Sequence, residues 1–292
     1  MRADPPVDEA AIVACLGHLD ATIRRRPYPY ETSHKLDELE VILADGTRLE
    51  FLLKDLRRSS LGSSARRVKP HIFHDPFREA EAYRLLVEAG LGKAICRASG
   101  RDWLLLEKVR GVELWQVGRL QAWVDAARWL ARLHAHFAAR RPTSLHLLNY
   151  NAEYFRMWSQ RALRHHPSLR PILRHHERVV ELLTKAPTTL IHGEFYPSNI
   201  LIANGDIVPI DWEEAGIGPG ILDLAALVTG WGQNERAVIA TVYGIIRTEE
   251  LDAALLQLAL HWLGRPKSWK PPAEHLHNWL EEANTAAGRL GL

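Results

Sequence analysis

Oxygen-bearing side chains concentrate in one stretch, Leu190-Ile-His-Gly-Glu-Phe-Tyr-Pro-Ser-Asn-Ile-Leu-Ile202, followed by Ile207-Val-Pro-Ile-Asp-Trp212. Two apolar, β-type runs flank a polar loop from Gly193 to Asn199. Asn204-Gly205 between β-branched runs then predicts a tight hairpin that returns Asp211 to the side of Asn199. Glu194, Asn199 and Asp211 would converge at one end of a small ribbon. A hard cation such as Mg²⁺ takes ligands of this kind, one or two from protein, with phosphate oxygens and water completing an octahedron. The plainer reading is a surface hairpin whose polar groups face water. Against it, all three groups fall where strands end and loops begin, which is where sites are usually built.

A second charge of interest lies far upstream. Leu39, Val41 and Leu43 alternate, as do Leu49, Phe51 and Leu53 after Asp45-Gly46, which predicts an antiparallel hairpin ending at Lys54. Lys54 has the opposite parity to the apolar row and so shares the other face with Leu52. Asp75-Pro76 to Gly90 reads as a helix, with Asp75 as its cap, Pro76 in its first turn and Gly90 as its stop. Helical spacing puts Glu79 on the stripe of Ala82, Tyr83 and Leu86, whereas Glu81 lines up with Arg84, Leu85 and Glu88. A carboxylate on an apolar stripe needs a cationic partner. Lys54 is the candidate for Glu79, with Glu81 as the fallback.

His192-Gly193-Glu194, Asn199, Ile210-Asp211-Trp212 and Asp223-Leu224-Ala225 together resemble the motifs of the aminoglycoside phosphotransferase and choline kinase superfamily, relatives of the protein kinases. One departure stands out: the catalytic Asp of that superfamily is Glu194 here. The resemblance implies an α+β, two-lobed protein-kinase-like fold. Residues 1–106 would form a small antiparallel-sheet lobe that binds nucleotide, 107–111 a hinge, and 112–292 a larger, mainly helical lobe with the catalytic loop and acceptor site. It further implies that Lys54, aimed by Glu79, neutralises nucleotide phosphates, and that Asn199 and Asp211 hold Mg²⁺. Glu194 would orient the acceptor hydroxyl and take its proton late, His192 would shape the loop, and Asp223 would brace the backbone near His192 while capping its own helix. The main chain of Glu107 and Val109, past the strand from Trp103, would meet the adenine edge. The phosphate-covering turn would fall at Tyr30 to Lys35, where no glycine occurs and Thr32 and Ser33 are the available donors.

The implied reaction is transfer of the γ-phosphoryl group of ATP or GTP to a hydroxyl of a small aminoglycoside-, sugar- or choline-like molecule. Glu for Asp keeps charge and nearly the same basicity. Reach changes by one methylene, and a misplacement of about 1 Å can cost roughly a hundredfold in rate. The alternative reading is therefore a catalytically impaired nucleotide-binding pseudokinase serving as a scaffold or regulator.

The remaining chain supplies the elements that must position these groups. Its 292 residues, 47% hydrophobic, suffice for one large core or two modest ones, and a net charge of +2 gives no general argument for nucleic acid or acidic lipid as partner. Arg57 to Lys69 is a basic loop without the interleaved aromatics of a nucleic-acid platform. Cys15 and Cys96 are too few for a disulfide framework and suggest buried small hydrophobes in a reducing, cytoplasmic setting. Residues 8–19, capped by Asp8, read as an amphipathic helix broken at Arg24 to Tyr30. Leu120 to Ala139, with Trp123, Ala127, Leu130, Leu133 and His134 in its stripe, reads as a core helix, and 151–185 as two more. Glu213 to Gly220 reads as a tight connector. Residues 233–290 are helical with Trp231, Trp262, Trp269 and Trp279, mostly core, one or two of them walls for an acceptor; 267–272 read as a loop.

Overall fold

A computed structural model of the chain describes residues 9–17, 21–29, 34–62, 68–92, 95–244, 247–267 and 275–292. The chain divides into two compact units, Met1–Arg110 and Gly111–Leu292.

The first unit is an antiparallel sheet of five strands, β1 Ala21–Pro27, β2 Lys35–Leu43, β3 Arg48–Asp55, β4 Cys96–Ser99 and β5 Trp103–Glu107, in the order β1-β2-β3-β5-β4. Alternation assigns its faces: Leu39, Val41, Phe51, Leu53 and Leu105 bury on one side with Ile12 of helix α1 (Glu9–Cys15). The β2–β3 turn passes through Gly46 at a φ of +84°, which only glycine adopts without strain. Helix α2 (Arg78–Glu88) starts later than expected; Asp75 accepts from the amide of Phe77 at 2.9 Å, closing a turn ahead of the helix.

Three expectations are corrected in this unit. The first helix covers Glu9–Cys15, with the expected cap Asp8 and Leu19 outside the described residues, and Arg24 to Pro27, expected to break that helix, belong to strand β1. The reason is electrostatic: Arg24, Arg25 and Arg26 face Glu40, Asp37 and Glu38 on β2 at 3.3, 2.5 and 2.8 Å. Cross-strand ion pairs hold a strand that hydrophobic alternation does not reveal. Cys15 is exposed and Cys96 only half-buried, so neither is a sealed core residue.

In the second unit, two small sheets sit among helices. One has the order β7-β11-β8, with β7 Leu148–Asn149, β8 Thr188–Ile191 and β11 Gly216–Pro219; the other is β10-β9-β6, with β6 Val112–Glu113, β9 Ile200–Ala203 and β10 Asp206–Pro209. The main helices are α3 Leu120–Ala139, α4 Ala152–His165, α5 His176–Lys185, α6 Ile221–Val228, α7 Gln233–Tyr243, α8 Thr248–Leu263 and α9 Trp279–Leu290. Helix α3 buries the expected stripe, and α8 is buried at every residue from Leu251 to Leu263, which makes it the central helix of the unit. The expected hairpin at Asn204-Gly205 forms between β9 and β10, with Ala203 opposite Asp206 and φ values of +54° and +84° at the turn.

The single ribbon expected around the polar loop is instead two sheets: β8 pairs with β11, not with β9, so Gly193 to Asn199 bridges from one sheet to the other. The glycine-rich connector accounts for this. Gly216 and Gly218 run as strand against β8, and a Cβ at either would lie 2.5 Å from Tyr150, so only bare backbone fits. Trp269 and residues 268–272 of the expected loop lie outside the described residues.

Candidate functional site

The polar loop of the second unit is fixed mainly through its backbone. Asp223, buried in the first turn of α6, accepts from the amide of His192 at 2.7 Å through Oδ2 and from the amide of Gly193 at 3.0 Å through Oδ1. It is not the cap of its helix, since Gly220 occupies that position. His134 of α3 approaches Asp223 Oδ2 through Nε2 at 3.2 Å and bonds Tyr243 through Nδ1 at 2.8 Å. Gly193 holds a φ of +86°, and a Cβ there would meet Tyr150 at 2.3 Å and the carbonyl of Glu214 at 2.4 Å.

His192 is fully buried and serves as a two-ended spacer. Its Nδ1 accepts from the amide of Glu194 at 3.2 Å, and its Nε2 lies 2.9 Å from the carbonyl of Ile210. Those two partners require the neutral ring with its proton on Nε2. Burial favours the same form and pushes the imidazole below its ordinary value, against the pull of Asp223, Asp211 and Glu194. Ile210 in turn donates its amide to the carbonyl of Asn199 at 2.9 Å, and Asn199 Nδ2 donates to the carbonyl of Glu194 at 3.0 Å. The amide oxygen of Asn199 is thereby turned from that carbonyl. Asp211 follows with a φ of +62°, a left-handed conformation that aspartate tolerates better than most residues. One network thus ties Glu194 and Asn199 to Ile210, the residue that precedes Asp211.

Among the described residues, no three His, Cys, Asp or Glu side chains lie close enough to hold a metal by themselves. Asn199 and Asp211 offer an amide and a carboxylate oxygen. That donor set fits a hard divalent ion which takes its remaining ligands from phosphate and water.

In the first unit, Lys54 Nζ lies 2.7 Å from Glu79 Oε2, with side chains 7% and 3% exposed. Glu81 pairs with Arg84 at 2.9 Å instead. Lys54 occupies the face of β3 opposite the Phe51 and Leu53 core, as its parity requires. Glu107 ends β5, its amide donating to Ile95 at 2.7 Å, and Val109 follows half-buried in the irregular segment beyond. Ser33 and Thr32 lie outside the described residues.

Two residues that sequence reasoning does not assign to the site are in contact with it. His134, expected as a satisfied helix histidine, has Asp223 as its partner, 89 positions away. Arg265 carries no signal at all in the sequence. Its Nη2 lies 3.3 Å from Glu194 Oε1, across 71 positions, and its guanidinium stacks 3.9 Å from the centre of the Trp262 ring. Trp262 in turn donates to the hydroxyl of Tyr196 at 2.7 Å.

An antiparallel five-stranded unit with a buried lysine–glutamate pair, joined in sequence to a helical unit carrying this braced loop, defines a protein-kinase-like fold. Solved structures share it at low identity. Choline kinase LicA from Streptococcus pneumoniae is similar at a TM-score of 0.64, 13% identity and 97% coverage of each chain. A choline kinase from Cryptosporidium parvum gives 0.59 and 14%, covering 91% of this chain and 87% of that one. The macrolide 2′-phosphotransferase MphH from Brachybacterium faecium gives 0.58 and 16%, covering 87% and 91%. No curated protein matches by sequence. The profile of the phosphotransferase enzyme family matches residues 35–267, and the chain belongs to that family.

Proposed function

We propose that the protein transfers the γ-phosphoryl group of ATP or GTP to a hydroxyl of a small molecule, with Mg²⁺ held by Asn199 and Asp211. The observation that carries this reading is the bracing of Glu194, Asn199 and Ile210, the neighbour of Asp211, about the neutral His192. Family membership supports phosphotransfer over the scaffold alternative. The ion, when bound, neutralises phosphate charge. Phosphoryl transfer otherwise asks mainly for alignment and electrostatic stabilisation. Lys54, aimed by Glu79, meets non-transferred phosphates. The main chain of Glu107 and Val109 meets the base, and Ser33 a phosphate. Glu194 accepts a hydrogen bond from the acceptor hydroxyl, orients it, and takes its proton late. Asp223 and His192 keep the loop in register and transfer no proton.

A panel of choline, ethanolamine, streptomycin and a macrolide, offered with MgATP or MgGTP and read by phosphate transfer, tests the reading. The panel follows the neighbours named in the solved structures. We expect at least one acceptor to be phosphorylated, and Glu194→Gln to abolish that turnover while nucleotide affinity changes less than about twofold. Normal turnover by Glu194→Gln removes Glu194 from its role; no turnover by the native chain with any acceptor or with water removes the assignment.

A further inference from the structure

Glutamate at position 194 needs an explanation, because its carboxylate sits one methylene further from the backbone than an aspartate's would. The end of α8 supplies one. Arg265 is itself buried, its side chain 7% exposed, and the Glu194 side chain is 12% exposed. The guanidinium is seated against the face of Trp262, the Nε2 of His261 at 3.3 Å, and Glu194 Oε1 at 3.3 Å. Arginine can only donate, so His261 Nε2 accepts from it. The His261 ring is stacked on Trp158, with centroids 4.1 Å apart and planes 17° apart, which fixes the acceptor in turn.

The same helix end also holds the loop two residues further on, through the bond from Trp262 to Tyr196. The last turn of α8 and the residues just past it therefore grip the loop at two points, a neutral one from Trp262 to Tyr196 and a charged one from Arg265 to Glu194. The charged grip depends on length. With the loop backbone set by Asp223 and His192, an aspartate would end about 1.5 Å short of the guanidinium. At a present separation of 3.3 Å, that contact would open beyond hydrogen-bonding range.

We propose that Arg265 is a positioning residue for the reaction: it anchors one oxygen of Glu194 and so makes a glutamate, rather than an aspartate, the competent group at this position. The proposal rests on the phosphotransfer reading given above. It adds a constraint on that reading, that residues 194 and 265 function as a matched pair.

The test is a cycle of Arg265→Met, Arg265→Lys, Glu194→Asp and the double variant Glu194→Asp/Arg265→Met. Rates are measured as MgATP turnover with the best acceptor of the panel, or with water if none serves, after thermal unfolding shows each variant folded. Methionine keeps the stem packed on Trp262 while removing the charge. We expect Arg265→Met to lower kcat at least tenfold with the KM for MgATP within twofold, and Arg265→Lys to regain a substantial part. Glu194→Asp should lose as much as Arg265→Met, and adding Arg265→Met to it should cost less than a further twofold. A role confined to holding the fold gives a different result: the two losses multiply, and the unfolding midpoint falls in step with kcat. Multiplying losses, or an Arg265→Met variant with more than half the native kcat, overturn the proposal. If Arg265→Met does not fold, Arg265→Lys alone decides by whether its kcat falls while its KM holds. Inactive Glu194→Gln beside a fully active Arg265→Met sinks the pairing but spares phosphotransfer. A native chain that consumes no MgATP sinks both.

Discussion

The two units place charge by opposite means. In the first, the ammonium of Lys54 is held by a side-chain partner, Glu79, 25 positions away, in surroundings that exclude water from both. In the second, the backbone of the loop that carries Glu194 and Asn199 is held by several bonds that Asp223, His192 and Asn199 make with its main chain. A buried pair is sharp but brittle. Removing either partner strands the other charge, at a cost of about 3–5 kcal/mol. A backbone lattice spreads the same task over several weaker bonds, so a loss at one node distorts geometry before it destroys the fold.

Four experiments probe that contrast, in order of falling effect. Glu194→Gln strikes the group that the proposed reaction needs, and we expect kcat to fall about a thousandfold with the KM for MgATP held within about twofold, in keeping with general-base contributions. Asp223→Asn strikes the lattice: its new NH₂ must face the amide of either His192 or Gly193, leaving a buried donor unmet at about 1–3 kcal/mol. Here kcat should fall about a hundredfold through misplacement, alongside a lower midpoint. If stability drops but kcat holds, the brace is structural only. Lys54→Met strikes the brittle pair, and the expected outcome is a tenfold or greater rise in the KM for MgATP together with lost stability. Combining it with Glu79→Gln should restore stability without restoring KM, since no buried charge is then stranded.

The smallest effect separates the units by acid. Glu38 of the first unit is drawn down to about 2 by hydrogen bonds from Arg26 and Lys108. Glu282 of the second reaches about 2 as well, where the bonds from Arg236 and His277 overcome the opposing effect of burial. Both carboxylates hold fewer protons folded than unfolded. Their stabilisation is therefore complete above the ordinary value of 4.5 and is lost as pH falls toward about 2. Arg26 is 74% exposed and Arg236 only 14%, so salt should erode the first contribution more than the second. Urea titrations at pH 5 and pH 3, at low and high salt, check this; equal salt sensitivity for Glu38→Gln and Glu282→Gln contradicts it.

What can be read in the sequence follows the same division. Local rules locate the β2–β3 hairpin, the Asn204-Gly205 turn and helix α3, because each is fixed by periodicity or turn chemistry within a few residues. Parity and helical spacing also join Lys54 to Glu79 across a longer gap, since a carboxylate on an apolar stripe has few partners to choose from. Strand β1 is hidden because its three arginines answer to acids on the neighbouring strand. The pairing of β8 with β11 is hidden because glycines carry no hydrophobic pattern, and their meaning lies in Tyr150, far away in the chain. Arg265 is beyond reach for a related reason: its partner is defined by where α8 ends in space, which no spacing encodes.

The left-handed backbone of Asp211 has a consequence for descent. A φ of +62° screens the amino-acid alphabet before charge is weighed, penalising β-branched and bulky side chains while passing glycine and asparagine. Aspartate and asparagine differ by one base in the genetic code. On the proposed reading, a silent copy of this chain, shaped like the original but weakened at its cation, is thus a single nucleotide away through Asp211→Asn or Asp211→Gly, and natural variants that have gone quiet should carry these two more often than β-branched or bulky residues at that position.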